Sequence, residues 1–162
     1  MAKTPSSGES ADLAAFRSLI RERRGGPHSY VALLGLKAFE PLEIMDRVRA
    51  GLSYRAFERF QRNIDLSLSE LATLVQITPR TLARRREEGR LSAEESDRLL
   101  RATRVFAKAL ALFEGDVDAA RAWLSAPAPA LDDRTPREVA STDVGAREVE
   151  NLIGRLEHGV FS

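Results

Sequence analysis

The stretch from Ser67 to Glu88, SLSELATLVQITPRTLARRREE, constrains the fold more than any other, because it prescribes two short helices and the break between them. Ser67 followed by Glu70 is an S-x-x-E capping box, in which each side chain bonds the other residue's backbone N–H, and it starts a helix near Leu68. Leu68, Leu71, Ala72 and Val75 then fall at i, i+3, i+4 and i+7, which makes one apolar stripe. Gln76 and Ile77 form the turn. Thr78 can cap a second helix, and Pro79 suits its first position, where the missing N–H had no partner to lose. Gly89 can end that helix in the left-handed conformation. Two helices so close together, with Ala72, Ile77 and Leu82 as packing positions, must cross rather than lie antiparallel, which is the geometry of a helix-turn-helix.

With Leu82 turned inward, Thr78, Arg80, Thr81, Arg84 and Arg85 are the residues expected to face a DNA groove. Arginine can bond guanine O6 and N7 with two parallel donors, and the helix N-terminus adds backbone donors for phosphate. A plainer reading stands beside this one: Arg84, Arg85 and Arg86 can solvate a surface helix, paired with Glu87 and Glu88.

The chain has 162 residues, 43% of them hydrophobic, enough for one domain or two small ones with a core. No apolar run approaches the roughly 18 residues that span a bilayer, and the polar start MAKTPSSGES lacks the apolar core of a signal peptide. No membrane partner and a cytoplasmic location are therefore expected. The absence of cysteine removes disulfides, thiolate metal sites and a cysteine nucleophile. The net charge of +1 hides an asymmetry, since residues 127–162 hold four Arg against seven acids, which leaves the first 126 residues at +4. Gly and Pro mark the boundaries and no β-branched alternation occurs, so the fold class expected is all-α.

Residues 1 to about 10 have no apolar period. An amphipathic helix follows, with Leu13, Phe16, Leu19 and Ile20 at helical spacing and a basic end at Arg21, Arg23 and Arg24 that suits a helix C-terminus better than a phosphate track. SYVALLGLKAFEP is apolar and enters the core as either an extended or a short helical piece. Pro41 and Ser53 begin two further helices. After Gly89, Ser92 and Glu95 form another capping box ahead of a long helix reaching toward Gly115. Leu99, Thr103, Phe106, Leu110 and Phe113 make one stripe, while Leu100, Val105 and Leu112 lie off it, so this helix needs a second covering surface. Either the C-terminal third or another copy of the chain can supply it, and a homodimer suits two-fold operator reading. Arg98, Arg101, Arg104 and Lys108 run along the same helix and read as a solvated face in preference to a phosphate track.

Asp116 caps the next helix, Thr135, Pro136 and Glu138 combine a capping box with a first-turn proline, and Gly145 opens a last helix with the apolar stripe Val149, Leu152, Ile153 and Leu156. No Gly-rich phosphate loop, metal-ligand spacing or nucleophile with an adjacent base occurs, so no catalytic residue, metal or cofactor is expected, and the chain does not read as an enzyme.

The stretches PRTLARRREEGRLSAEESDRLLRATRVFAKA and AWLSAPAPALDDRTPREVASTDVGAREVENLIGRLEHGVFS, in that order, resemble the antitoxins of the Xre/MbcA/ParS group, partners of RES-domain toxins. The resemblance covers roughly residues 36–162, and its most specific part is GAREVENLIGRLEHGVFS. Arg85, where a buried apolar residue is more usual, and Gln76, where the turn more often has glycine, depart from an ordinary helix-turn-helix. The resemblance implies an Xre/Cro-like helix-turn-helix and dimerisation domain over 36–113, a small helical toxin-binding domain over 114–162, and an extension over 1–35. It further implies neutralisation of a NAD-consuming RES-domain toxin by occlusion of its active site, together with repression of the shared operon through operator DNA. Arg147, Glu148, Asn151, Arg155, His158, Phe161 and Ser162 are the toxin-binding residues it points to. Phe161 could fill an apolar pocket while Glu148, Glu150 and the terminal carboxylate meet cations, and Arg155 and His158 could instead only complement their own helix end. The other class of function is a stand-alone helix-turn-helix regulator whose C-terminal third dimerises or binds a ligand.

Overall fold

The computed structural model describes residues 9–159, and among them the chain is helical, with two isolated bridges, Ser53 to Arg90 and Ala128 to Arg134, and no strand. In order the elements are α1 (Ala11–Glu22), a 3-10 segment (Gly26–Leu34), α2 (Pro41–Ala50), α3 (Tyr54–Asn63), α4 (Leu68–Leu74), α5 (Pro79–Glu88), α6 (Ala93–Leu112), α7 (Val117–Ser125), a 3-10 turn (Pro129–Leu131), α8 (Pro136–Val139) and α9 (Asp143–Glu157). The capping residues read from the sequence do what their chemistry requires. Ser67, Ser92 and Thr135 each close a reciprocal box with a glutamate three residues on, and Ser53, Thr78 and Asp116 each accept a backbone N–H of their helix's first turn.

Residues 10–34 pack into the same core as the rest. The apolar segment of undecided type is a 3-10 helix in which Val31, Leu33 and Leu34 are fully buried. Buried Asn63 of α3 donates through Nδ2 to the Leu33 carbonyl at 2.8 Å, which satisfies a backbone acceptor that 3-10 geometry leaves free. Asp12 of α1 receives two parallel hydrogen bonds from Arg59 of α3, at 3.0 and 3.1 Å. Together these fasten the first helix and the apolar segment onto α3.

The long helix α6 is the axis of the molecule. Leu99, Thr103, Phe106 and Leu110 are buried on one face, and Val105, Ala107 and Ala109 are buried beyond it. The second covering surface is supplied within the chain, since the 3-10 segment, α2, α7 and α9 all lie against α6. That arrangement overturns the solvated reading for Arg98, Arg101 and Arg104, while Lys108 stays exposed. Arg104 and Lys108 both reach Glu150 of α9, Arg101 pairs with Asp97 at 3.2 Å and lies 3.9 Å from Asp143, and Arg98 Nε donates to the Val75 carbonyl at 2.7 Å. Because α9 crosses this face, the cations neutralise its carboxylates and the end of α4.

One loop crossing fixes how the helix-turn-helix meets its support. Gly51 has φ +89°, and a Cβ there would stand 2.2 Å from the Leu91 carbonyl oxygen. Only glycine permits both the conformation and the approach. The crossing is bonded by Leu91 N–H to the Leu52 carbonyl and Tyr54 N–H to the Gly89 carbonyl, both 2.9 Å, so the loops flanking α3 and α5 move as one.

Candidate nucleic-acid and partner interfaces

In the two-helix unit, α4 and α5 are joined through Val75, Gln76, Ile77 and Thr78. Gln76 sits at φ +58°, the left-handed conformation that favours glycine, which explains the unusual residue as one that tolerates the turn and uses its side chain. Its Nε2 donates to the Ser141 carbonyl at 3.2 Å, linking the turn to the loop between α8 and α9. Leu71, Ala72, Val75 and Ile77 are buried. Leu68, expected in the buried stripe, is 41% exposed, because α4 has only seven residues and its first turn overhangs the groove between α4 and α5. Leu82 is half-buried along that same groove.

The five residues expected at a DNA groove divide into two groups. Arg80 and Arg84, four apart, share the exposed outer face of α5, and Arg84 holds only a loose 3.7 Å pair with Glu88. Thr78 and Thr81 lie at the start of the helix with their hydroxyls 3.0 Å apart, so the cap and the first turn are held rigid. Arg85 is turned the other way. Its Nε donates to Glu95 at 2.7 and 3.2 Å, its Nη2 to Glu95 at 3.1 Å, and its Nη1 to Glu88 at 3.0 Å, which leaves the side chain 18% exposed. Arg85 therefore stands where an apolar residue is usual because a buried carboxylate on α6 receives it, and it is not on the groove face. The Glu95 and Glu88 carboxylates hold the Arg85 guanidinium well above its ordinary range. Burial pushes the Glu95 carboxyl up, but the Arg85 guanidinium and the Ser92 backbone N–H outweigh it and hold the carboxyl below the usual range. Sequence reasoning read Glu95 only as half of a capping box. The signal for its second use was the odd arginine at 85.

On α9 the buried face is Ala146, Val149, Leu152 and Ile153, and the opposite face carries the expected partner-binding set. Arg147, Glu148 and Asn151 are exposed, Arg155 is half-buried, and His158 is exposed as the C-cap. Arg147 is tied to Asp143 at 3.1 Å on its own helix. Val144, 75% exposed one turn before Arg147 and Glu148, extends this stripe with an apolar group that the sequence reading passed over. Glu150, considered there as a carboxylate for a partner's cations, is instead taken by Arg104 and Lys108. Phe161 and Ser162 lie outside the described residues.

Residues 43–104 match the model of the antitoxin Xre-like helix-turn-helix domain, and residues 108–159 match that of the antitoxin Xre/MbcA/ParS C-terminal toxin-binding domain. An Antitoxin Xre of Yersinia enterocolitica is 38% identical over 130 residues, covering 80% of this chain and 88% of that protein. The chain belongs to the Xre antitoxin family. An Antitoxin Xre of Photorhabdus laumondii is also similar, 35% identical over 113 residues, which are 69% of this chain and 76% of its own. Within this Xre-family chain the two matched regions meet inside α6, so one continuous helix carries both the helix-turn-helix and the toxin-binding part. Among the described residues no group of His, Asp and Glu could hold a metal ion, and no helix is long and apolar enough to cross a membrane.

Proposed function

We propose that this chain neutralises a RES-domain, NAD-consuming toxin by occluding its active site with the C-terminal part, and represses its own operon by binding operator DNA as a homodimer. The observation that carries the reading is the outer stripe of α9. Val144, Glu148, Asn151 and His158 project from a helix whose inner face is fully engaged, and no side chain of the four makes a hydrogen bond or ion pair among the described residues. A stripe with one apolar anchor and mixed polar groups, followed in sequence by Val160, Phe161 and Ser162, is suited to entering a partner's cleft. Domains of 36–113 for DNA binding and dimerisation and 114–162 for toxin binding, with 1–35 as an extension, accompany this proposal. In it the continuous α6 connects the two activities.

The toxin arm is tested by deleting residues 160–162. Co-expressed with the RES-type protein, the shortened chain should still fold yet lose neutralisation, read as cellular NAD depletion and growth arrest. Unchanged protection and unchanged complex formation would remove the terminal plug from the mechanism. For the DNA arm, Arg80→Ala and Arg84→Ala should each weaken operator binding by about 1–3 kcal/mol, or roughly 5- to 150-fold, while the toxin complex stays intact. Fluorescence anisotropy on labelled operator DNA reads this directly. If both activities fall together, the substitutions have disturbed folding and α5 has not been shown to read DNA.

A further inference from the structure

A cavity of about 40 Å3 lies in the seam where α4 meets α7 and α8 on the surface of α6. Its wall is apolar, formed by Leu66, Leu74, Val105, Phe106, Leu124 and Ala140. Four arginines line the same cavity: Arg98, Arg101, Arg121 and Arg137. Their charges are unequally answered. Arg101 has Asp97 and Asp143, and Arg121 has Asp65 and Asp118, whereas Arg98 bonds only the neutral Val75 carbonyl and Arg137 has no carboxylate partner among the described residues. Arg121 Nε also lacks an acceptor, but it is closed off from the cavity, so the cations left for a ligand are those of Arg98 and Arg137. Water can solvate them there, but a neutral molecule leaves their charge unanswered, and an anion makes the stronger, charge-assisted bonds.

We propose that this seam is a binding site for a small amphipathic anion, a carboxylate or phosphate monoester with a short apolar tail. The anionic head accepts from Arg137 and Arg98, and the tail lies against Val105, Phe106 and Leu124. A single water-sized group needs about 10–15 Å3, so the cavity holds a tail of roughly three or four carbons and not a long acyl chain. The site is distinct from the outer stripe of α9 and from the outer face of α5, and its test uses neither toxin nor operator.

Butanoate, butyl phosphate and butan-1-ol are titrated into the full-length, 15N-labelled chain and followed by amide chemical shifts. Saturable shifts are expected at Ala102, Val105, Ser125 and Ala140 for both anions, with butan-1-ol about tenfold weaker, the loss that corresponds to one charge-assisted hydrogen bond. The stronger of the two anions identifies the head group. Ala102→Phe, which fills the cavity, should abolish the shifts, and Arg137→Gln, a change on the partly exposed rim, should weaken anion binding about tenfold without altering butan-1-ol. Equal binding of butan-1-ol and butanoate, or an unaffected Arg137→Gln variant, would show a plain apolar void and overturn the proposal. So would shifts that scatter over the surface or fall in the groove between α4 and α5.

Discussion

Gly145→Ala is expected to destabilise the chain by about 3 kcal/mol or more and, under the proposed function, to abolish toxin binding, although alanine is the better helix former. The two effects oppose each other. Helix propensity favours alanine over glycine inside a helix by about 1 kcal/mol. Sterics oppose it, because a Cβ on Gly145 would stand 1.7 Å from the Val139 carbonyl oxygen and 3.0 Å from Thr142 Oγ1. The nearer atom belongs to the backbone, so no side-chain rotation relieves the clash. Nor can α8 retreat easily, since its four residues are held by the Thr135–Glu138 capping box at one end and by buried Ala140 at the other. Gly145 N–H also donates to Thr142 Oγ1 at 3.0 Å, so displacing the helix start sacrifices its cap. The clash therefore wins. Urea unfolding followed by the fluorescence of Trp123, the chain's single tryptophan, measures the change. A Gly145→Ala chain within 0.5 kcal/mol of the parent would show that α8 and α9 can part without cost.

Arg85→Met is the second large effect. Removing the guanidinium strands Glu95, whose side chain is 7% exposed, without the cation that compensates its burial. Breaking a buried pair from one side costs about 3–5 kcal/mol, and the outer edge of Arg85 reaches water, so about 2–3 kcal/mol is the expected loss. The double variant Arg85→Met/Glu95→Leu should recover most of it, because no stranded carboxylate remains. Under the proposed function, Arg85→Met should also weaken operator binding while Arg80 and Arg84 are still present, since the Arg85–Glu95 bond sets how α5 leans on α6. Arg85→Lys restores charge but not the parallel donors, and an intermediate result is expected. The pH dependence has a definite sign. The folded-state pKa of Glu95 lies below its unfolded value, so its contribution is complete above the ordinary carboxylate range and is lost as pH falls through the folded value. Acid unfolding of the parent should therefore include a component that the double variant lacks. Identical acid profiles would mean that the pair adds nothing to stability.

Much of this fold was legible because it is written in local chemistry. Ser53, Ser67, Thr78, Ser92, Asp116 and Thr135 announced helix starts, Pro79 and Pro136 confirmed two of them, Pro41 marked the start of α2, and Gly89 ended α5 at φ +78°. Each of these signals acts within a few residues, so no knowledge of the partner surface was needed. The stripe of α9 was legible for the same reason. Where the reading missed, a long-range partner had changed the meaning of a residue. Arg98, Arg101 and Arg104 look like a solvated row until α9 and the end of α4 are placed against them. Arg85 looks like a groove contact until Glu95, ten residues on, is seen to turn inward.

The sequence by itself determined most of the helices, the caps that start them, the crossing pair with Arg80 and Arg84 outward, and the family that residues 43–104 and 108–159 match. Only the tertiary structure decided that the apolar segment over Gly26–Leu34 is a 3-10 helix packed between α1 and α3, that α7 and α9 of the same chain lie against α6, and that Gln76, Arg98 and Gly145 hold the two functional parts in one arrangement. The physical reason is the range of the interactions. Caps and periodicity act through the backbone a turn away, whereas charge pairing and close approach depend on which surfaces meet once the chain has folded.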